Sequence, residues 1–189
     1  MSKAVLISIK PEWCRMIEAG EKVIEIRKGR PKLETPFKCY IYQTHSGKVG
    51  TGLFLADGSE IQGRSVKNGT VIGEFTCKQI SDIMISCSDP DMKGIPFPGT
   101  GLTDKEIMDY LGNGKTGYGW HISDLQIYDT PKKFSEFLKP CPHGEDSSCF
   151  VCEKSGYAPD MHIDCFNTIT RPPQSWCYVE ELSGGGSDG

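Results

Sequence analysis

Within GEKVIEIRKGR, at residues 20–30, a carboxylate, Glu25, lies between two cations, Lys22 and Arg27, around an apolar alternation. Side chains of these types can do chemistry together. Lys22 and Arg27 can donate to a phosphate or a base edge, while Glu25 can orient Arg27 or accept a proton from a nucleobase amino group. Flanking cations favour Glu25 as an acceptor or base rather than an acid. The bland alternative is a solvated strand face whose ion pairs contribute at most about 1 kcal/mol each.

A second cluster is made of thiols. Cys141, Cys149, Cys152 and Cys165 follow a C-x7-C-x2-C-x12-C spacing, with His143 and His162 as possible substitutes. A segment this polar and turn-rich needs a staple, and these thiols suit a structural Zn²⁺ held tetrahedrally. The same ligands could hold an iron–sulfur cluster. The H-x-E with P-C-x-x-C pattern of zinc-dependent base deaminases is absent, which argues against catalytic zinc. Cys14, Cys39, Cys77, Cys87 and Cys177 are scattered among apolar neighbours and read as small buried hydrophobes.

Two further features could contribute. Trp120 and His121 are successive residues of YGWHIS, so on a strand they point to opposite faces, one to the core and one to a cleft or solvent. Trp120 could be a core aromatic or a stacking platform for a base, and His121 a surface histidine or a ligand contact. The bases Lys28, Arg30 and Lys32 continue past Arg27 into a Gly/Pro turn that could steer an anion. Lys48, Arg64 and Lys67 lie in a Gly-rich stretch, 45–70, that reads as a long loop.

The elements that must position these groups are legible from period and punctuation. Residues 4–10 read as a strand, and Pro11 opens a short helix with Trp13, Met16 and Ile17 on one stripe and Gly20 as its stop. Residues 23–27 form a strand with Ile24 and Ile26 on its core face and Val23, Glu25 and Arg27 on the other. Further strands are expected at 37–44, within 71–87, from 118 to about 130, and at 175–182. Thr103 and Glu106 form a capping-box pattern for a helix of about two turns closed by Gly112. Phe134 and Phe137 should turn inward from a short helical turn.

The order of elements predicts an α+β domain over residues 1–182: a small mixed, mostly antiparallel β-barrel with flanking short helices. A Cys-rich zinc-binding insertion occupies 139–167, and 183–189 is a flexible Gly/Ser tail. The 189-residue chain has a formal net charge of −4, which argues against coating duplex nucleic acid by bulk electrostatics. No apolar run approaches the roughly 20 residues of a membrane span, no signal peptide is evident, and a cytoplasmic location is expected.

On GEKVIEIR the chain resembles ASCH domains, whose G-x-K-x-x-E-x-R signature falls on Gly20, Lys22, Glu25 and Arg27 after a strand ending SIKP and a helix. VIGEFTC, YGWHISDLQIYDTP and ITRPPQSWCYVEE resemble the later strands of bacterial and phage-type members. The resemblance implies a PUA-like barrel with a cleft that recognises RNA or a modified base, lined by Gly20, Lys22, Glu25, Arg27, Trp120 and His121. The implied partner is single-stranded RNA or a nucleoside or nucleotide, without a membrane. Some similar proteins are N4-acetylcytidine amidohydrolases using a Lys, a Thr and a Glu. Lys22 matches that Lys, whereas Glu25 stands where the Thr would be, leaving a Glu-activated water as the hydrolytic option. A ribonuclease would draw on Glu25, Lys22 and His121. A third reading is an interaction protein whose contact surface is the cysteine segment.

Overall fold

The computed structural model describes residues 2–45, 69–88, 94–140 and 169–182. Most of the Gly-rich stretch, the cysteines at 141, 149, 152 and 165, and the tail lie outside the described residues. The elements run β1 (Lys3–Ile9), α1 (Pro11–Glu18), β2 (Ile24–Arg27), β3 (Phe37–Gln43), β4 (Thr70–Met84), β5 (Pro96–Phe97), β6 (Leu102–Thr103), α2 (Asp104–Leu111), β7 (Thr116–Lys132) and β8 (Trp176–Glu180). Six strands form one sheet in the order β2-β7-β4-β3-β1-β8, while β5 and β6 make a separate two-stranded ribbon. The β1–β3 pair is parallel and the other pairs are antiparallel. The mixed, mostly antiparallel sheet with short flanking helices matches expectation.

Closure into a barrel does not. β2 and β8 are free edges of an open sheet, for reasons visible in their bonding. The start of β2 is already engaged: Val23 and Ile24 donate their amides to the Gly99 carbonyl at 2.7 and 2.8 Å. At the other end, the Glu180 amide of β8 donates to Leu138 at 2.8 Å. Both sides of β1 are occupied by β3 and β8, so no ladder can form between β1 and β2. A side chain bridges that gap instead, with Arg27 Nη2 donating to the Ser8 carbonyl at 2.6 Å.

Apolar alternation places the core on both faces. Val5, Ile7 and Ile9 of β1 join Phe37, Cys39, Ile41, Phe75, Cys77 and Trp120, with Cys14 and Ile17 of α1, in one cluster. Ala4 and Leu6, the alternate residues of β1, pack with Tyr40, Tyr42, Phe137 and Val179 in a second. Ile26, Ile83, Ile107 and Leu111 form a third, against which Ile24 packs. The strand β2 therefore turns its isoleucines toward the cluster that includes α2 residues, and not into the main core as its sequence suggested. On α1 the fully buried positions are Cys14 and Ile17, with Trp13 only half-buried.

The buried thiols have a measurable consequence. Burial is the largest cause raising the Cys14 and Cys39 thiols far above their ordinary value of 9.0, and it takes Cys77 up to about 11. A thiol that stays protonated when folded but ionises when unfolded binds more protons in the native state above pH 9. Its stabilising contribution is complete below that value and is lost as pH rises toward the folded pKa. Each such thiol weakens the fold by about 1.4 kcal/mol per pH unit above 9, so Cys14 and Cys39 together remove about 3 kcal/mol at pH 10. Urea melts at pH 7, 9 and 10 check this, with Cys14→Ala/Cys39→Ala expected to flatten the alkaline limb.

Candidate functional site

The turn after α1 sets up the site. Gly20 has φ +75°, a left-handed conformation that favours glycine, and the amides of Glu21 and Lys22 then donate back to Met16 at 2.9 and 3.0 Å. Lys22 is thereby turned inward, and its side chain is only 2% exposed. On β2, Glu25 and Arg27 share a face by alternation, and both are buried as well. The register pairs Glu25 with Trp120 and Arg27 with Tyr118 on β7. Instead of a solvated face, the charged half of β2 is a buried ionic corner on the gap between β1 and β2.

Its bonding assigns different roles to the two cations. Lys22 Nζ donates to the carbonyls of Ile24 at 2.9 Å and Thr100 at 2.7 Å, and stands 5.6 Å from the centre of the Trp13 ring. It also lies 3.2 Å from Glu25 Oε2. That ion pair lacks hydrogen-bond geometry, because Oε2 has no hydrogen-bond partner. The contact is one of charge attraction only. Lys22 ties the β5–β6 turn to the edge of β2. Arg27 Nη2 holds Glu25 Oε1 at 2.9 Å as well as the Ser8 carbonyl, yet its Nε is unpaired.

Among the described residues, the buried side-chain nitrogen and oxygen atoms without a hydrogen bond are Glu25 Oε2, Arg27 Nε and Trp120 Nε1. The first two belong to this corner, whereas Trp120, the cross-strand neighbour of Glu25, turns its ring into the main core. Each such atom costs about 1–3 kcal/mol relative to a satisfied one. A cavity of about 230 Å³ opens beside this corner, with Lys22, Glu25 and Arg27 in its lining. Lys10 at the start of α1 and Trp13 within it line the cavity from one side, and Glu106 and Tyr110 from α2. The predicted capping box is present: the Glu106 carboxylate accepts from the Thr103 amide at 2.7 Å and hydroxyl at 2.8 Å, which lowers its pKa. Glu106 thus brings negative charge to the rim with one oxygen already engaged.

The other predicted site residues separate. Trp120 is fully buried, edge-on to Phe37 with ring centres 5.8 Å apart and tilted against Trp176, and it is not in the cavity lining. His121 pairs with Ile24 on the opposite face, where its Nε2 lies 2.6 Å from Ser81 Oγ. Gly20 is exposed and acts through its backbone. Trp13 and Tyr110 were missed as cleft residues. The apolar stripe placed Trp13 in the core, and a lone tyrosine beside Ile107 and Leu111 carries no signal of a distant wall. No group of His, Cys, Asp or Glu among the described residues is placed to hold a metal ion.

This is a sheet whose unclosed gap is lined by a buried acid–base corner and roofed by two short helices. Solved structures share the architecture. ASCH from Zymomonas mobilis matches with a TM-score of 0.51 and 16% identity over 94% of this chain and 88% of that one. A single-residue variant of that protein matches at 0.53 and 17%, over 95% and 92%. The chain therefore has the fold of an ASCH domain, as its signature residues implied. No family profile matches the sequence, and neither does any curated protein. Among the described residues no helix is long and apolar enough to cross a membrane.

Proposed function

We propose that the cleft binds one base, plain or modified, of RNA or of a free nucleotide. The observation that carries this reading is two buried atoms without a hydrogen bond, an acceptor on Glu25 that has only the Lys22 charge beside it and a donor on Arg27, belonging to side chains that line one cavity. Nucleobase edges offer a complementary donor and acceptor side by side. Trp13 supplies an aromatic wall, and stacking on such a ring contributes about 1–3 kcal/mol. Size supports a single base, since about 230 Å³ is below the roughly 300–1,000 Å³ of pockets for larger ligands. Neither atom reaches solvent in the free chain, so binding includes a small side-chain adjustment, common at recognition sites.

Calorimetric titration of nucleosides, nucleotides and short single-stranded RNAs tests it. Glu25→Gln and Arg27→Met, each checked for folding, should weaken binding tenfold to a hundredfold, the loss of a hydrogen bond to a charged group. Unchanged affinity in both variants rejects the cleft. A hydrolytic reading rests on the same uncommitted Glu25 oxygen acting as base toward a water. Product released by the wild type, and lost in Glu25→Gln while binding persists, selects that reading. For residues 139–167 the proposal is a structural zinc on Cys141, Cys149, Cys152 and Cys165. Metal analysis should find about one zinc per chain, and chelation should lower the melting temperature.

A further inference from the structure

We infer that residues 28–32, the strap that leaves β2, form a phosphate subsite, so that the cleft's ligand is a nucleotide within a single strand and not a free nucleoside. The inference rests on the base-binding reading above and extends it outward from the cavity. Lys28, Arg30 and Lys32 are exposed, while Gly29 is half-buried and Pro31 buried between them. The strap is fixed from beneath, because Tyr178 Oη accepts the Lys32 amide at 2.7 Å. Three cations are thus held on the outer side of a tethered segment.

Two of them are placed by aromatic rings, one of which lines the cavity. The Lys28 ammonium stands 5.1 Å from the centre of the Tyr110 ring, and Tyr110 lines the cavity. The Arg30 guanidinium stands 5.6 Å from the Tyr118 ring, and Tyr118 is the register partner of Arg27. Lys28 and Arg30 thus follow closely in the chain on Arg27, which lines the cavity. Among the described residues none of the three strap cations forms an ion pair with a carboxylate. The chain as a whole carries −4, so this concentration of positive charge is local and runs against the composition. Unpaired, pre-placed cations one backbone step from a base-sized cavity match the phosphodiesters on either side of an inserted base.

The experiment compares the four ribonucleosides, their 5′-monophosphates and the corresponding trinucleotides, on wild type and on Lys28→Ala/Arg30→Ala/Lys32→Ala, across a salt series. These positions are exposed, and a thermal melt verifies that the triple variant folds. The trinucleotide should bind at least tenfold more tightly than the nucleoside. The triple variant should remove that advantage, leave nucleoside affinity unchanged, and flatten the salt slope by about 1.4, the value for the two phosphates of a trinucleotide. Equal affinity for nucleoside and trinucleotide overturns the subsite and leaves the cleft standing. So does a trinucleotide advantage that survives the triple substitution. Wild type that binds none of the probes removes the base-binding reading and this inference with it.

Discussion

Glu25→Ala is expected to destabilise the protein by about 3–5 kcal/mol, because it leaves Lys22 and Arg27 buried without their counter-charge. Lys22 is 3.2 Å from one Glu25 oxygen and Arg27 2.9 Å from the other, and all three side chains are more than nine-tenths buried. For a chain of this size the loss corresponds to a fall in melting temperature of about 10 °C. The result separates a buried corner from a solvated ion pair, whose removal would cost at most about 1 kcal/mol. Replacing the whole corner, Lys22→Met/Glu25→Leu/Arg27→Met, removes the buried charges together and should cost no more than Lys22→Met alone, about 3–4 kcal/mol, the remainder being the orphaned carbonyls of Ile24 and Thr100. That variant should bind no nucleotide. Denaturant melts and titrations on both variants check the pair of outcomes. A stable protein that still binds would mean that the charges serve neither fold nor ligand.

The second large effect concerns Lys22. Lys22→Met keeps most of the stem packed but strips hydrogen bonds from the carbonyls of Ile24 and Thr100, and Thr100 is fully buried. The expected cost is about 3–4 kcal/mol, at 1–3 kcal/mol for each orphaned group. It should fall unevenly. Hydrogen exchange should show protection lost first in residues 96–103 and in α2, which Lys22 ties to β2, before the main sheet opens. Lys22→Arg should not rescue it, because a planar guanidinium cannot reproduce the ammonium's arrangement of donors. A Lys22 acting only on a substrate would leave exchange unchanged. The bonding gives Lys22 a positioning role, and the exchange experiment separates that role from action on a substrate.

Much of the local structure was legible in the sequence. Gly20 marked the end of α1, and its left-handed φ is what a helix stop of that kind requires. Thr103 and Glu106 announced α2, and both bonds of the box are formed. The alternation in 23–27 correctly put Glu25 and Arg27 together on one face of β2. Such features depend on neighbours a few residues apart, so a one-dimensional pattern contains them.

The faces themselves were another matter. A period of two says that Ile24 and Ile26 oppose Glu25 and Arg27, but not which side is buried; with α2 residues in the cluster against one face and the main core on the other, both are. Trp120 and His121 were rightly split between two faces, yet only the register with β2 sets Trp120 behind Glu25 and His121 beside Ile24. Trp13 and Tyr110 belong to different helices and meet only at the cavity. Barrel closure failed for a similar reason, since it depends on whether the edge groups of β2 and β8 are already bonded, here to Gly99 and Leu138.

What the sequence by itself determined, then, is the strands, the caps and turns of the two helices, and the presence of a G-x-K-x-x-E-x-R face. Tertiary structure alone decided that this face is buried, that the sheet stays open beside it, and that Lys22 uses its donors on the fold while Glu25 Oε2 and Arg27 Nε are left without a hydrogen bond. The physical reason is range. Helix stops and alternation arise from contacts along a few residues of chain, whereas burial and hydrogen-bond satisfaction are settled by groups far apart in sequence that share one small volume.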